Sequence, residues 1–299
     1  MVTAARRLFV FGLGYSALVF ARRARARGWR VAGTTRSPEK ARALADAHGL
    51  EMHVFARGRP LADPAAALAG VTHLLISAPP DGEGDPVLGV HAHDIARAGG
   101  SLRWGGYLST TGVYGDRGGE WVDERSGLHP SGPRGAARVE AERGWLDLLR
   151  LGVPMHVFRL AGIYGPGRSA FDTLRAGGAR RIVKPGQVFS RIHVDDIARV
   201  LEASIARPDP GAVYNVCDDE PAPPQDVIAF AAALLGVEPP PEIAFEDAAP
   251  GMSEMARSFY RDSKRVSNLR IRDRLQVALE HPDYRAGLRA ILERERAAG

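Results

Sequence analysis

The chain has 299 residues, of which 45% are hydrophobic and 25% are charged, and such values are ordinary for a folded globular protein. The formal net charge is +5, but no cluster of Lys and Arg is interleaved with aromatic residues, so we expect no nucleic-acid partner. Cys217 is the single cysteine, which excludes an intrachain disulfide and a multi-cysteine metal site. No apolar run reaches the roughly 18 to 20 residues of a membrane span, and none at the start fits a secretory signal. We therefore expect a cytoplasmic protein that does not enter a membrane.

Short apolar runs alternate with helical patterns through the first half of the chain. Strands are predicted at 8–12, 29–35, 52–56, 72–78, 105–110 and 155–161, and helices at about 15–27, 38–48, 63–69, 87–98 and from Pro133 onward. This alternation is typical of βαβ units whose strands form a parallel sheet.

The pattern becomes less regular after residue 162. Strands are predicted at 180–183, 189–194 and 212–216, and helices at about 169–177, 195–206, 225–235, 263–268 and 283–295. We interpret the chain as a doubly wound parallel α/β (Rossmann) domain with a smaller, irregular α+β C-terminal substrate domain. The first would comprise residues 1–163 and 189–218, and the second residues 164–188 and 219–299.

The first predicted strand leads into the turn Gly12-Leu13-Gly14-Tyr15-Ser16-Ala17, which opens the first helix. In a G-x-G-x-x-A turn, the first glycine allows a sharp bend and the second allows backbone to approach a pyrophosphate. The helix N-terminus then offers N–H groups to the anion. A dinucleotide site is predicted, with contacts from Gly12, Leu13, Gly14, Tyr15, Ser16, Thr35, Arg36, Ala78, Pro79 and Arg138.

The end of the second strand bears on which dinucleotide is bound. It reads Thr34-Thr35-Arg36-Ser37, without the acidic residue that would hydrogen-bond the ribose 2′-hydroxyl of NAD. Arg36 can instead pair with a 2′-phosphate, and Thr35 or Ser37 can donate to it. NADP is therefore favoured over NAD, although Arg36 as a solvated loop cation would leave both open.

Four segments beyond the turn occur in a familiar order: YLSTTGVYG from Tyr107, RLAGIYGPG from Arg159, RIHVDDIA from Arg191 and VYNV from Val213. With the turn, they resemble the extended short-chain dehydrogenase/reductase family of NAD(P)-dependent epimerases and dehydratases. The resemblance spans about two thirds of the chain. It implies a Rossmann fold and an oxidoreductase or epimerase-like activity on a carbonyl or hydroxyl substrate.

The resemblance places Thr110 where the family uses a Ser or Thr to hydrogen-bond the substrate, although a locally satisfied hydroxyl is the alternative. The family's Tyr-x-x-x-Lys pair falls on Arg134 and Arg138. Arg138 can keep the cation beside the cofactor ribose. Arg134 is no ordinary acid, because its pKa exceeds about 12, but it can stabilise an oxyanion or hold an anionic substrate. Both can equally be solvated helix arginines, and the proton donor would then be Tyr114, Tyr164 or water.

Several substrate-binding features of the family are altered. The arginine that often precedes the HV of RIHV is replaced by Phe189, and the family asparagine is replaced by Gly162. Arg168 and Arg191 remain as candidates to bind an anionic or polar, sugar-nucleotide-like substrate. His193 belongs to a pattern that serves structure in the family, and Asp195 and Asp196 are expected to cap the next helix.

Two functional hypotheses remain open from the sequence. The first is an NADP-dependent, epimerase-like oxidoreductase with a non-standard active site, and the second is a catalytically inactive NADP-binding redox sensor or scaffold. A metal enzyme is not expected, because no His, Cys, Asp and Glu residues show ligand spacing. Apolar residues near 139–149 are compatible with a homodimer and equally with packing on the sheet.

Overall fold

The structure is a computed structural model that describes residues 6–298. Its contacts divide the chain into two compact units. Unit 1 contains the chain up to Thr110, together with Pro133–Arg159 and Ile197–Tyr214. Unit 2 contains Thr111–Gly132, Leu160–Asp196 and the chain from Asn215 onward.

The strands, in chain order, are β1 (Arg7–Phe11), β2 (Arg30–Thr35), β3 (Glu51–Val54), β4 (His73–Ile76), β5 (Trp104–Thr110), β6 (Trp121–Val122), β7 (Met155–Leu160), β8 (Gly162–Tyr164), β9 (Arg181–Val183), β10 (Arg191–His193), β11 (Val213–Val216), β12 (Glu242–Ala244) and β13 (Arg265–Val266).

The α-helices are α1 (Tyr15–Ala26), α2 (Pro38–His48), α3 (Pro64–Leu68), α4 (Pro86–Ala98), α5 (Pro133–Asp147), α6 (Ala170–Arg175), α7 (Val194–Ala206), α8 (Pro224–Leu235), α9 (Phe245–Ala248), α10 (Glu254–Arg261), α11 (Leu269–Leu275) and α12 (Tyr284–Ala298). Short 3-10 turns occur at Gly99–Ser101, Thr111–Tyr114, Leu148–Leu151 and Ala249–Gly251.

A seven-stranded sheet, in the order β11-β7-β5-β4-β1-β2-β3, organises unit 1. Strand β1 pairs in parallel with both β2 and β4, β2 with β3, and β4 with β5. The chain winds outward from β1 to β3 and then resumes at β4 on the other side. The carboxyl ends of β1 and β4 therefore form a topological switch point, where open α/β sheets bind ligands. The predicted doubly wound α/β fold is confirmed.

The strands of the sheet are apolar because helices cover it. All five residues of β1 are buried, and so are all four of β4. Phe9, Phe11, Leu74, Tyr107 and Trp145 belong to one core cluster, each at most 1% exposed. Continuous apolar strands of this kind are typical of a parallel sheet that packs on both faces.

Unit 2 contains three small parallel pairs of strands, β8 with β10, β9 with β12 and β6 with β13. Its apolar core includes Phe171, Ala231, Leu288 and Ile291, which come from α6, α8 and α12. This mixture of short strands and helices fits the predicted irregular α+β domain.

The structure differs from the sequence prediction in several places. The helix predicted at 263–268 is wrong, because β13 lies there and pairs with the distant β6. The sequence did not predict β12, α9 or α10. The predicted domain boundaries also differ from the units, because residues 111–132, 160–163, 189–196 and 215–218 group with unit 2.

Candidate active site

The glycine turn lies at the carboxyl end of β1. Gly12 has a φ of +86°, and a Cβ there would lie 2.8 Å from the backbone nitrogen of Ala78. The backbone N–H of Gly12 donates to Thr34 Oγ1 at 2.9 Å. Position 12 therefore needs glycine both for its left-handed backbone and for the close approach of the segment after β4.

Position 14 does not require glycine for its backbone conformation or for a close protein neighbour. Its φ of −90° and ψ of −168° are open to any residue, and a Cβ there would have no other protein atom within 4 Å. Gly14 is the N-cap of α1, and no side chain caps that helix. The first turn contains Tyr15 and the buried Ser16. Open space beside an uncapped helix N-terminus suits a pyrophosphate, so the residues fit the predicted cofactor.

Leu13 connects this turn to the second strand. Its N–H donates to the carbonyl oxygen of Thr34 at 2.8 Å, and its side chain is 2% exposed. The Leu13 side chain occupies the space that a Cβ at Gly33 would need. Leu13 can therefore contact a cofactor through its backbone, while its side chain fixes the turn against β2.

At the end of β2, one of the predicted cofactor contacts, Arg36, is available to bind a ligand. Arg36 is exposed, and among the described residues it has neither a hydrogen bond nor an ion pair. Thr35 is half-buried. Ser37 caps α2, because its Oγ accepts the N–H of Lys40 and donates to Glu39. The sequence offered Ser37 as a phosphate donor, but its hydroxyl proton is used locally.

The segment after β4 closes the other side of the turn. The N–H groups of Ser77 and Ala78 donate to the carbonyl oxygen of Phe11 at 2.8 and 3.0 Å. Ala78 is half-buried and Pro79 is exposed. These bonds hold the ends of β1 and β4 together at the switch point.

Helix α5 carries Arg134 and Arg138, the two arginines that the sequence resemblance places at the positions of a Tyr and Lys pair. Arg138 Nη1 donates to the carbonyl oxygen of Leu108 at 2.6 Å and to Tyr107 Oη at 3.1 Å. Arg134 is exposed, with no hydrogen-bond or ion-pair partner within residues 6–298. Arg138 is thus fixed against β5, whereas Arg134 remains available to a ligand.

A buried ion pair lies one helical turn beyond Arg138. Arg159 on β7 donates to Glu142 on α5, with Nη2 to Oε2 at 2.7 Å, and both residues are at most 5% exposed. Ser109 Oγ donates to the same carboxylate at 2.5 Å. These bonds fix α5 to β5 and β7, directly before Thr110. Thr110 ends β5 and is half-buried.

Tyr114 lies in unit 2, in a 3-10 turn. It is 0% exposed, and its hydroxyl donates to Asn215 Oδ1 at 2.7 Å. This geometry does not favour Tyr114 as the proton donor, because its proton is already donated inside the protein. Tyr164 is also largely buried, and its hydroxyl donates to the carbonyl oxygen of Asp283 at 3.3 Å. Burial raises the pKa of Tyr164 far above its usual value.

The two arginines predicted to bind substrate also lie in unit 2. Arg168 is exposed in a turn closed by backbone bonds to Gly165. Arg191 is half-buried, and its Nη1 donates to the carbonyl oxygens of Phe189 and Ala222, each at 2.9 Å. Burial lowers the pKa of Arg191. Arg168 is therefore the more accessible of the two.

The sequence did not predict a pocket that unit 2 contains. Its volume is about 620 Å³, and it is lined by Trp121, Val122, Asp123, Ser126, Asp218, Asp219, Val266, Ser267, Asn268, Leu269 and Arg272. Trp121 and Leu269 are large apolar residues with about 60% of their surface exposed (59% and 61%). Because β6 and β13 meet only in the folded chain, local patterns gave no sign of it.

The sequence showed no metal-ligand spacing, but three potential ligands lie close together in the folded chain. His193, Asp195 and His281 are all buried in unit 2, with one ligand atom of each within 4.8 Å of the others. Asp196 was expected to cap α7, yet its carboxylate accepts the N–H groups of Glu280 and His281. The sequence pattern could not reveal this because His281 lies far along the chain.

Cys217 is fully buried and its Sγ donates to the carbonyl oxygen of Val266 at 3.1 Å. Within residues 6–298, no helix is long and apolar enough to cross a membrane.

Comparison with known proteins agrees with this architecture. No protein-family model matches the chain. Protein YeeZ of Escherichia coli K12 is 29% identical over 251 residues, which cover 79% of this chain and 86% of that protein. The structure of dTDP-glucose 4,6-dehydratase from Bacillus anthracis, solved with NAD, aligns at a TM-score of 0.73 with 14% identity over 98% of this chain and 97% of that one.

A conserved protein of unknown function from Silicibacter pomeroyi is far more similar in sequence. Its structure aligns at a TM-score of 0.89 with 53% identity, over 97% of this chain and 99% of that one. The chain therefore belongs to the same family as the Silicibacter pomeroyi protein, and its fold is that of the extended short-chain dehydrogenase/reductases.

Proposed function

We propose that the protein is an NADP-dependent oxidoreductase of the extended short-chain dehydrogenase/reductase type, epimerase-like, acting on a carbonyl or hydroxyl of a polar or anionic substrate. The dTDP-glucose 4,6-dehydratase with this fold was solved with NAD, which supports a nicotinamide cofactor here. A sugar-nucleotide-like substrate is the finer proposal, for which the exposed Arg134 on α5 supplies a cation.

The observation that carries the proposal is the open space at Gly14. Gly12 is required by its positive φ and by Ala78, so it would be glycine with or without a ligand. Gly14 has an ordinary backbone conformation and no protein neighbour at its Cβ position. Glycine at this position is explained by a ligand that approaches the backbone, as a pyrophosphate does at such turns.

The cofactor choice follows from charge at the end of β2. Arg36 is an exposed cation without a protein partner in the described range. A guanidinium can bind a 2′-phosphate through two charge-assisted hydrogen bonds. NADP is therefore the proposed cofactor, with NAD as the weaker ligand.

The residues on α5 and β5 would have separate roles toward the substrate. When bound, NADP would supply or accept the hydride. Thr110, at the end of β5, would donate a hydrogen bond to the substrate oxygen and polarise it. Arg134 would stabilise negative charge on that oxygen or on a substrate anion, and Arg138 would keep a positive charge beside β5.

The proton would come from solvent water in this proposal. The family's tyrosine position is Arg134, and the hydroxyls of Tyr114 and Tyr164 are hydrogen-bonded inside unit 2. Arginine cannot exchange a proton near neutral pH, because its pKa exceeds about 12. The rate should then lack the pH dependence that an activated tyrosine would impart.

The binding step is tested by titrating purified protein with NADPH and with NADH while following cofactor fluorescence. NADPH is expected to bind more tightly than NADH. Gly14→Ala should weaken NADPH binding at least about tenfold, a loss of roughly 1.4 kcal/mol, while the unfolding temperature stays unchanged. Gly100→Ala is the matched control, because a Cβ at Gly100 also meets no protein atom.

Turnover is tested separately with a panel of carbonyl compounds and sugar nucleotides, by following NADPH oxidation. Oxidation that requires substrate and is lost in Thr110→Val would support the proposed enzyme. Tight binding without any turnover would support the redox sensor or scaffold instead. Equal NADPH affinity in the wild type and Gly14→Ala would contradict the proposed site itself.

A further inference from the structure

Three side chains with metal-ligating atoms lie together in unit 2, and none of the three is assigned above to cofactor or substrate. His193 ends β10, Asp195 follows in the first turn of α7, and His281 precedes α12. They are 1%, 8% and 5% exposed. One ligand atom from each lies within 4.8 Å of the others, so a small contraction would bring all three onto one ion.

The polar atoms of this cluster are poorly satisfied by the protein. Among the described residues, His193 Nε2 and His281 Nε2 are buried without a hydrogen-bond partner, and Asp195 Oδ2 has no hydrogen bond but forms an ion pair with Arg294. The two imidazole rings lie 3.9 Å apart between centroids, at 61°. Buried polar atoms normally have a partner, so the two unpartnered imidazole nitrogens in one cluster need an explanation.

The cluster combines two imidazole rings with one carboxylate, a set of groups that suits a cation. Among the described residues, two ionisable groups lie within 4 Å of Asp195 Oδ2. Arg294 Nη1 is 3.2 Å away, and His193 Nδ1, which is charged only if protonated, is 3.8 Å away.

We propose that His193, Asp195 and His281 bind a divalent transition-metal ion, with Zn²⁺ as the best fit. Two imidazoles and one carboxylate are a donor set that zinc takes in proteins. Magnesium and calcium prefer oxygen ligands, so they suit this cluster poorly.

Binding would displace two existing contacts, and both are weak. His193 Nδ1 accepts the N–H of Asp195 at 3.2 Å. Ligation through Nδ1 replaces that bond, and ligation through Nε2 moves the ring proton to Nδ1 and breaks it. Arg294 competes for Asp195, but 63% of its side chain is exposed, so it can turn into solvent.

The segment that carries His281 is already held in place. Asp196 Oδ1 and Oδ2 accept the N–H groups of Glu280 and His281 at 2.7 and 2.9 Å. This anchoring reduces the ordering that ligation would cost. A bound ion would in turn tie the start of α7 to the segment before α12, and should therefore raise the unfolding temperature.

The test uses full-length protein stripped with a chelator and titrated with Co²⁺, whose visible absorption reports its ligands, followed by displacement with Zn²⁺. The wild type is expected to bind one equivalent and to unfold at a higher temperature with Zn²⁺. His193→Gln and His281→Gln should each weaken binding by more than about 100-fold, since changes outside the ligand shell already cost 10- to 100-fold. His129→Gln, an exposed histidine of unit 2, should bind as the wild type does.

Arg294→Gln separates a metal site from a purely structural cluster. It removes the competing cation, so Co²⁺ affinity should rise several-fold even if stability without metal falls slightly. The proposal is overturned if the wild type binds no Co²⁺ at micromolar protein, or if His281→Gln, shown by circular dichroism to be folded, binds with unchanged affinity. Neither outcome depends on whether NADP binds or turns over.

Discussion

Glu142 on α5 and Arg159 on β7 form a buried ion pair, with Arg159 Nη2 2.7 Å from Glu142 Oε2. Ser109 donates to the same carboxylate from β5. Three elements that surround the candidate catalytic residues therefore meet at one carboxylate. Arg134, Arg138 and Thr110 are each within a few residues of this connection, which fixes their backbone.

Glu142→Ala should lower the free energy of unfolding by about 3–5 kcal/mol, because it leaves the buried Arg159 without its partner. Urea denaturation measures this. Glu140→Ala is the control on the same helix, since Glu140 is 69% exposed in its pair with Arg143, and exposed pairs contribute roughly 0–1 kcal/mol. Similar losses in both variants would show that the buried pair is not a main connection of α5.

Arg36→Ala should weaken NADPH binding by about 10- to 100-fold, the equivalent of roughly 1.5–3 kcal/mol for hydrogen bonds to a charged group. NADH binding should change little, because NADH has no 2′-phosphate. Isothermal titration of both cofactors checks this. Arg42→Ala, a second exposed arginine on the neighbouring α2, should leave both affinities unchanged. Equal losses for NADPH and NADH would argue against a 2′-phosphate contact.

Tyr114→Phe tests whether this tyrosine gives a proton to substrate. We expect turnover to be retained within about threefold, while stability falls by roughly 1–3 kcal/mol because Asn215 loses its buried hydrogen-bond donor. Steady-state kinetics and thermal unfolding on the same preparation separate the two effects. A large fall in kcat with unchanged stability would restore Tyr114 as the proton donor.

His73 should make the protein less stable in acid. Its pKa is lowered from 6.5 to about 4, first by burial and then by Arg6 and Arg103. The unfolded chain therefore binds more protons than the folded one between these values, so stability is complete above pH 6.5 and falls as the pH drops toward 4. His73→Phe should reduce this fall. Unfolding measured at pH 7.5 and pH 4.5 gives the comparison, and an unchanged pH dependence would exclude His73 as a contributor.

The sequence predicted most of unit 1 because its signals are local. The run from Leu8 to Ala17 contains a strand, a turn and the start of a helix within ten residues, and the structure has all three. The same holds for the end of β2, where the strand ends at Thr35 and the exposed Arg36 follows it.

The parts that failed depend on contacts between distant segments. Arg265 and Val266 form a strand only because Trp121 and Val122 lie beside them, and no local pattern encodes that pairing. His281 meets His193 for the same kind of reason. The hydrogen bond from Tyr114 to Asn215 likewise joins residues far apart in the chain, and no local pattern predicted it.

The contact between Leu13 and the backbone at Gly33 has a consequence for how this family can change. A larger residue at position 33 needs a smaller one at position 13, so the two sites should vary together among relatives. Position 13 also belongs to the predicted phosphate-binding turn. A redesign of β2 that aims to change the cofactor preference is therefore limited by the size of the residue at position 33. Substitutions beyond the end of the strand, at Arg36 and its neighbours, are less restricted.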